Sequence, residues 1–544
     1  MQGGQIMKRI TALLLCAAKV AGLLAGCAQE KQPHVPTGDG LSWENETQAV
    51  ATSPTTAEEE EQAIVMAFYP DVSMNPFLCA DYTNRTLFSL IYQSLFVTYL
   101  NYEVKPILCR RYRVSEDLKT YTIYPETNAR FSDGDPLTVN DVLLSLKAAM
   151  EDESYYAGRF RHVETINSAA DGSVVIQLDT PYEDFTRLLD IPIVKAEETG
   201  SLSPLGTGPY VFAQLGPDAA LMRNPNWWCS AELPINASTI PLRIGTGPVD
   251  IRDQFEFSDV SLVCADPGSD SYADYRCDYE LWDCENGIFV YLGCNTEEGV
   301  FANKTVRSAL TYAIDREILA DGYYRDFAEP VTLPCSPMSP WYDDLLASKY
   351  EYQANKFGQA VKKAAMNGQR IKLLVNKDDT LRLQVASAVA QMLNTSGLVV
   401  EVVERNSEDY FTDLQYKDYD LYLGQTRLSP NMDLTEFFYE NVKLSFGPMN
   451  DETMYALCLK SLENSGNFYD LHQMIMNDGR LCPLLYRSYA VYATRGMIDD
   501  LHPSRDNVFY YDLGRTQDEA LQGRTAVSTD PTDPDGTVPE TTEG

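Results

Sequence analysis

The chain has 544 residues, 44% of them hydrophobic and 22% charged, with a formal charge of −36. At roughly one domain per 150 residues there is room for several lobes with sizeable cores. So acidic a chain repels polyanions, which excludes nucleic acid as a partner and disfavours adsorption to anionic lipid.

The leader comes first in chain order. Lys8 and Arg9 precede a mostly apolar stretch, Ile10 to Gly26, interrupted by Lys19. A spanning helix needs about 20 apolar residues, so this segment reads as a secretory signal whose start is Met1 or Met7. It ends in Leu24-Ala25-Gly26-Cys27, which resembles the bacterial lipobox. That resemblance implies cleavage before Cys27 and acylation of its thiol, hence a lipid anchor. Residues 28–61 and 515–544 are polar and acidic and cannot bury enough apolar surface to fold. They are expected as a disordered tether and tail around a body at 62–514.

Within the body, "EQAIVMAFYP" (61–70) reads as a strand. "NPFLCADYTNRTLFSLIYQSLFVTY" (75–99) places Leu87, Leu90, Ile91, Leu95 and Phe96 at helical spacing. "KTYTIYP" (119–125) alternates as a strand does. A turn at Asp133-Gly134 leads to a helix with Thr138 as N-cap and Asp141 completing a capping box. "GSVVIQLDTP" (172–181) is another strand. Further on, "TVRSALTYAIDREILADGYY" (305–324) predicts one long amphipathic helix. "RIKLLVN" (370–376), a helix over 380–397 closed by Gly397, "LVVEVVER" (398–405) and "DYDLYLGQ" (418–425) then predict a parallel βαβ unit. The first half reads as α+β with more antiparallel pairing, the second as α/β.

Past Cys27 the cysteines are Cys79, Cys109, Cys229, Cys264, Cys277, Cys284, Cys294, Cys335, Cys458 and Cys482. No C-x-x-C occurs, and spacing alone leaves their pairing open. The four histidines, His34, His162, His472 and His502, lie far apart in sequence. No metal and no cofactor is expected.

The order of landmarks resembles the extracytoplasmic solute-binding proteins of family 5, the oligopeptide, dipeptide and nickel receptors of ABC importers. They are "TLFSLIYQSLFVTY", "KTYTIYPETNARFSDGDPLTVNDVLLSLK", "PLGTGPYVF", "RNPNWW", "VYLGCNT", "VRSALTYAIDRE" and "LCPLLYRSYAVYA". The resemblance covers 64–512. It implies a two-lobed α/β periplasmic-binding-protein fold of type II, cluster C, with an extra subdomain on the first lobe. Lobe I would comprise 62–285 plus 486–514, and lobe II 286–485. It further implies a monomer that encloses a small organic solute, a peptide above all, and hands it to an ABC permease. The alternative is a surface lipoprotein that acts as a sensor or binds a non-peptide solute.

Catalysis lacks its signatures. Neither G-x-x-x-x-G-K-[ST] nor G-x-S-x-G occurs, so no enzyme is expected. The quartet Gly-Thr-Gly-Pro recurs at 206–209 and 245–248, but each Pro removes an N–H that a phosphate cradle would use. The first is read as a tight turn into a strand and the second as a coincidental turn. In peptide-binding members, an Asp of the second lobe holds the ligand's amine. Here that strand exits through Gly424, Gln425, Thr426 and Arg427, and Asp433 follows late. Arg427, just after a parallel strand, is expected to meet a ligand carboxylate by paired hydrogen bonds, or else to salt-bridge within its own lobe. Gln425 beside it and Tyr82, Thr83 and Asn84 of the first lobe are the other candidates, with helix capping as the alternative for Thr83 and Asn84. Trp341 would stack on ligand or cover the second lobe. Trp227 and Trp228 are read as packing residues.

Overall fold

The structure is a computed structural model that describes residues 64–216, 218–232, 237–269, 272, 274–440, 444, 449–497 and 504. The leader, Cys27, the tether and nearly all of the C-terminal tail lie outside the described residues. Among the described residues, no helix is long and apolar enough to cross a membrane.

An 11-stranded sheet runs through the body. Its strands are β1 (Met66–Phe68), β2 (Tyr210–Leu215), β3 (Asp218–Arg223), β4 (Thr239–Ile244), β5 (Leu262–Ala265) and β6 (Glu280–Cys294). They continue with β7 (Ala328–Pro330), β8 (Arg370–Asn376), β9 (Val399–Arg405), β10 (Leu421–Arg427) and β11 (Leu481–Ala493). The order is β2-β3-β4-β1-β5-β11-β6-β10-β8-β9, with β7 against β11. β1 lies parallel to β4 and β5, and β8 lies parallel to β9 and β10. The predicted βαβ unit is therefore present, with the helix Thr380–Thr395 as its crossover.

Two long antiparallel strands, β6 and β11, are the seam. Glu280–Glu285 pair with Ser488–Ala493, next to β5. Phe289–Gly293 pair with Leu481–Tyr486, next to β10. Between these stretches the register shifts, so that Asn286, Gly287 and Ile288 oppose Arg487. Gly287 has φ +73°, a left-handed conformation that glycine takes at little cost. Each side of this bulge has its own core. One gathers Phe68, Leu90, Ile123, Val142, Leu221 and Val491. The other gathers Phe289, Leu373, Val389, Leu421, Ile475 and Leu485.

A four-stranded antiparallel sheet belongs to the first half: Cys109–Val114, Thr120–Pro125, Val174–Leu178 and Val163–Ser168. Tyr121 and Ile123 are fully buried, as their alternation requires. The helix Val139–Met150 carries the capping box formed by Thr138 and Asp141. The core of this sheet merges with that of the first half.

Three readings need correction. The helical spacing of 86–96 does not give one helix. The chain forms short helices at Tyr82–Arg85 and Phe88–Ile91, and Leu95 and Phe96 lie outside them, Phe96 in the strand Phe96–Thr98. Every residue from Asn84 to Thr98 is buried, so no polar face exists for a period to reveal. The long helix of 305–324 is broken into Lys304–Arg307, a 3-10 turn at Leu310–Ala313, and Arg316–Tyr323. Asp315 caps the last piece, and buried Arg316 donates to the carbonyls of Thr311 and Ile314 that the break frees. The second Gly-Thr-Gly-Pro is a helix start: Gly247 is the N-cap and Pro248 the first residue of Pro248–Glu256. The first does lead into a strand, at Tyr210. Its glycines serve close approach, because a Cβ on Gly208 would fall 2.6 Å from the Ile91 carbonyl oxygen.

Candidate functional site

β10 ends beside the bulge, and its last pair joins Arg427 to Ile288. The Arg427 side chain leaves the sheet there. Its Nη2 donates to the Tyr489 hydroxyl at 3.4 Å, and its Cζ lies 5.2 Å from the Tyr155 ring centre. Tyr489, from β11, stacks on Tyr82 of the first half with ring centres 3.6 Å apart. Tyr155 is set from below by Arg85, whose guanidinium lies 3.4 Å from the ring centre. Arg85 is itself buried, donating to the carbonyls of Pro76 and Cys79 and to the Tyr156 hydroxyl. Rings and guanidinium groups from four separate segments, at 82–85, 155–156, 427 and 489, thus converge on one point.

A cavity of about 220 Å³ opens at that point. One wall is Tyr155–Arg159 with Arg161; the other is Thr426–Ser429 with Asp433 and Glu436. Among the described residues, three guanidinium groups and two carboxylates line it. Asp433 is 7% exposed and accepts the Thr435 N–H at 2.8 Å. Its Oδ2 lies 3.7 Å from Arg161 Nε and 3.5 Å from His162 Nε2. Arg161 also reaches Glu436 at 3.0 Å and the Thr435 hydroxyl at 3.0 Å. Burial alone would raise the Asp433 carboxyl, but the charges of Arg161 and His162 hold it well below the usual carboxylate range. Burial likewise pushes His162 down, yet Asp433, with Asp179 at 3.1 Å from its other nitrogen, holds it above its usual value.

A second cavity, of about 150 Å³, lies within the first half, with Tyr82 in its wall. Tyr82, Thr83, Asp81 and Asp266 are among its walls.

The six candidate residues divide. Arg427 lines the first cavity, and Tyr82 and Thr83 line the second. Gln425 faces the seam, where its Oε1 accepts from Arg487 at 3.3 Å. Arg487 in turn holds Asp266 by two contacts of 2.6 and 2.9 Å. Asn84 is fully buried, and its side chain is spent on the backbone of Tyr69 and Val72. It staples a loop and presents nothing to a ligand. Trp341 is 9% exposed, stacked on Phe468 at 4.9 Å beneath the Arg187 guanidinium, and lines neither cavity. Arg161, His162, Tyr155 and Tyr489 were not foreseen. The signal that could have found them is "YYAGRFRHV" (155–163), a basic cluster beside paired tyrosines in a strongly acidic chain.

The ten cysteines of the described body are all free thiols. No group of residues that could hold a metal ion occurs among the described residues. His162 stands behind Asp433 rather than in the cavity wall.

A family model for bacterial extracellular solute-binding proteins, family 5, matches residues 103–446. The chain is 24% identical to the nickel-binding periplasmic protein of Escherichia coli K12, over 62% of this chain and 70% of that protein. It is 22% identical to the glutathione-binding protein GsiB of Pectobacterium atrosepticum, over 68% and 74%. It is 24% identical to Protein XP55 of Streptomyces lividans, of which it spans about half (49%). Among solved structures, HbpA2 from Haemophilus parasuis superposes with a TM-score of 0.70 at 18% identity, covering 83% of this chain and 99% of that one. AppA from Clostridium difficile superposes at 0.67, also at 18% identity, covering 82% and 98%.

Proposed function

The chain belongs to the bacterial extracellular solute-binding proteins of family 5 and has their two-lobed α/β fold, and from that premise we propose that it captures a small carboxylate-bearing solute, a short peptide or a peptide-like molecule, between its lobes. The observation that carries this reading is the cavity between Tyr155–Arg161 and Thr426–Glu436, into which Arg427 leads from a strand end. A planar guanidinium flanked by aromatic rings suits a carboxylate.

In this reading lobe I is 62–285 plus 486–514, lobe II is 286–485, and the bulge opposite Arg487 is the hinge. Closure brings Arg161 of one lobe to Asp433 and Glu436 of the other. The monomer, anchored through acylated Cys27, passes its cargo to an ABC permease, and no bond is made or broken. The test is titration of the wild type and Arg427→Ala with Ala-Ala by calorimetry. The expected loss is about tenfold or more in affinity, in line with a lost charge-assisted hydrogen bond. Unchanged affinity refutes the assignment of Arg427. Cys27→Ala should release the protein from membranes, and retention there counts against the anchor.

A further inference from the structure

A cavity of about 500 Å³ lies apart from the two already described, within residues 314–352, and shares no lining residue with either. Ile314, Pro330, Pro337, Tyr342 and Tyr352 give it apolar walls. Three large apolar side chains stand exposed at its border: Ile318 (53%), Met338 (52%) and Leu345 (80%). Each is next in the chain to a lining residue, Glu317, Pro337 and Asp344 in turn. Exposed apolar side chains gathered around one concavity are the mark of a docking surface.

Charge says what docks there. Asp315, Glu317, Glu329, Asp344 and Glu351 line the same cavity. Among the described residues, none of the five is paired with a cation. The guanidinium in the wall, that of Arg316, is buried and donates to the carbonyls of Thr311, Ile314 and Pro483 and to the Thr311 hydroxyl. The next lysines along the chain are engaged elsewhere, Lys349 on the Tyr469 hydroxyl and Lys356 over the Tyr312 ring. Burial, and then Asp321 and Asp315, raise the Glu317 carboxyl; burial, and then Glu317 and Asp283, raise that of Glu329. These carboxylates repel one another, and a cation brought from outside relieves them. The chain's own terminal segments do not suit the place, because 28–61 and 515–544 are acidic, and a second copy carries the same charge of −36.

We propose that this face docks a basic segment of another protein, with Lys or Arg side chains entering the cavity and apolar neighbours covering Ile318, Met338 and Leu345. Long cationic side chains suit the walls, since their methylenes pack on Pro337 and Tyr352 while the charge reaches the carboxylates. The apolar border separates this occupant from a free polyamine, which would fill the cavity and leave the border bare.

The probe is a short fluorescent amphipathic helix of Lys and Leu, titrated with the full chain by anisotropy. The salt is about 0.15 M, where exposed charges more than about 8 Å apart are largely screened. Glu317→Gln/Glu329→Gln/Glu351→Gln should weaken binding about tenfold or more. Leu345→Ser, at a side chain the fold leaves exposed, should weaken it about threefold or more. Glu401→Gln/Glu404→Gln/Glu408→Gln removes the same charge from exposed positions outside the cavity and should change affinity by less than about threefold. Equal losses in the two triple variants would trace binding to the overall charge and overturn the proposal. Undiminished binding to the cavity variant, or no saturable binding at all, would overturn it as well. Unchanged affinity in Leu345→Ser would refute docking on the apolar border. Spermine that displaces the probe as effectively as unlabelled peptide would assign the cavity to a free polyamine instead.

Discussion

Asp433→Asn keeps the shape of the side chain and removes its charge. In the wild type, the buried carboxylate faces Arg161 Nε at 3.7 Å and His162 Nε2 at 3.5 Å. Removing one member of a buried pair costs about 3–5 kcal/mol when the other is left stranded. Here Arg161 keeps Glu436 at 3.0 Å, and its side chain is 23% exposed, so about 2 kcal/mol is the expected loss of stability. The sharper readout is His162. Its raised value depends on Asp433 outweighing burial, so in Asp433→Asn burial should dominate and bring it below the usual histidine value of about 6.5. The sign in stability follows. A histidine with a raised folded value stabilises fully below the unfolded value and loses that contribution as pH rises through the folded value. In the variant the slope reverses: stability should fall as pH drops below about 6.5. The assay is a histidine NMR titration, which is tractable because the chain has only four histidines and His162→Gln identifies the resonance. A His162 titration that is the same in wild type and Asp433→Asn refutes the reasoning.

Gly206→Ala drives a Cβ into the Ile91 carbonyl, which is backbone and cannot swing aside, so a loss of about 1–3 kcal/mol or failure to fold is expected in a denaturant titration. His472 is fully buried with neither ring nitrogen hydrogen-bonded, and burial pushes it down to about 3. The unfolded chain takes that proton first, so stability should fall by up to ~1.4 kcal/mol per pH unit as pH drops from about 6.5 toward 3. His472→Leu should flatten that limb of the denaturation profile. Burial raises the thiols of Cys79 to about 11 and of Cys284 and Cys335 to about 12, so a thiol reagent at neutral pH should modify them only after unfolding. Rapid native labelling of these three, read by peptide mass spectrometry, would contradict their burial.

What could be read in the sequence follows from exposure. Residues 380–395 and 399–405 each keep an exposed side, while 370–376 reads as a short apolar run whose last four residues are all buried, as a strand inside a parallel unit requires. The parallel pairing followed from it. Residues 84–98 are buried on every side, so the rule that reads faces had nothing to act on. The capping box of Thr138 and Asp141 was legible because its parts are three residues apart. Arg161 and Asp433 were not, since they come from segments far apart in the chain. Arg427 sits between these cases: its position at a strand end could be read, but its neighbours Tyr489 and Tyr155 come from other segments. The same limit explains Asn84, whose local setting looked like a loop at the cleft. Its actual partners are the backbone groups of Tyr69 and Val72, in the loop that follows β1.

The proposed hinge and the proposed ligand site share two strands at a spacing of two residues. Gln425 and Arg427 lie two apart on β10, and Arg487 and Tyr489 lie two apart on β11. Residues i and i+2 of a strand project from the same face. On that face Arg487 joins Asp266 to Gln425, directly opposite the interrupted ladder at Asn286–Ile288. One step along, Tyr489 joins Tyr82 to Arg427. A ligand can drive closure only through contacts that differ between the open and closed states. A carboxylate held by Arg427 has that property if the aromatic wall at Tyr155 is in place only when the lobes meet. The bulge then lets the two sheet halves turn without breaking the pairs on either side of it. Both bridges stand on the same strand face, so in the proposed closure Arg427 and the bulge would be linked through two residues of β10 backbone.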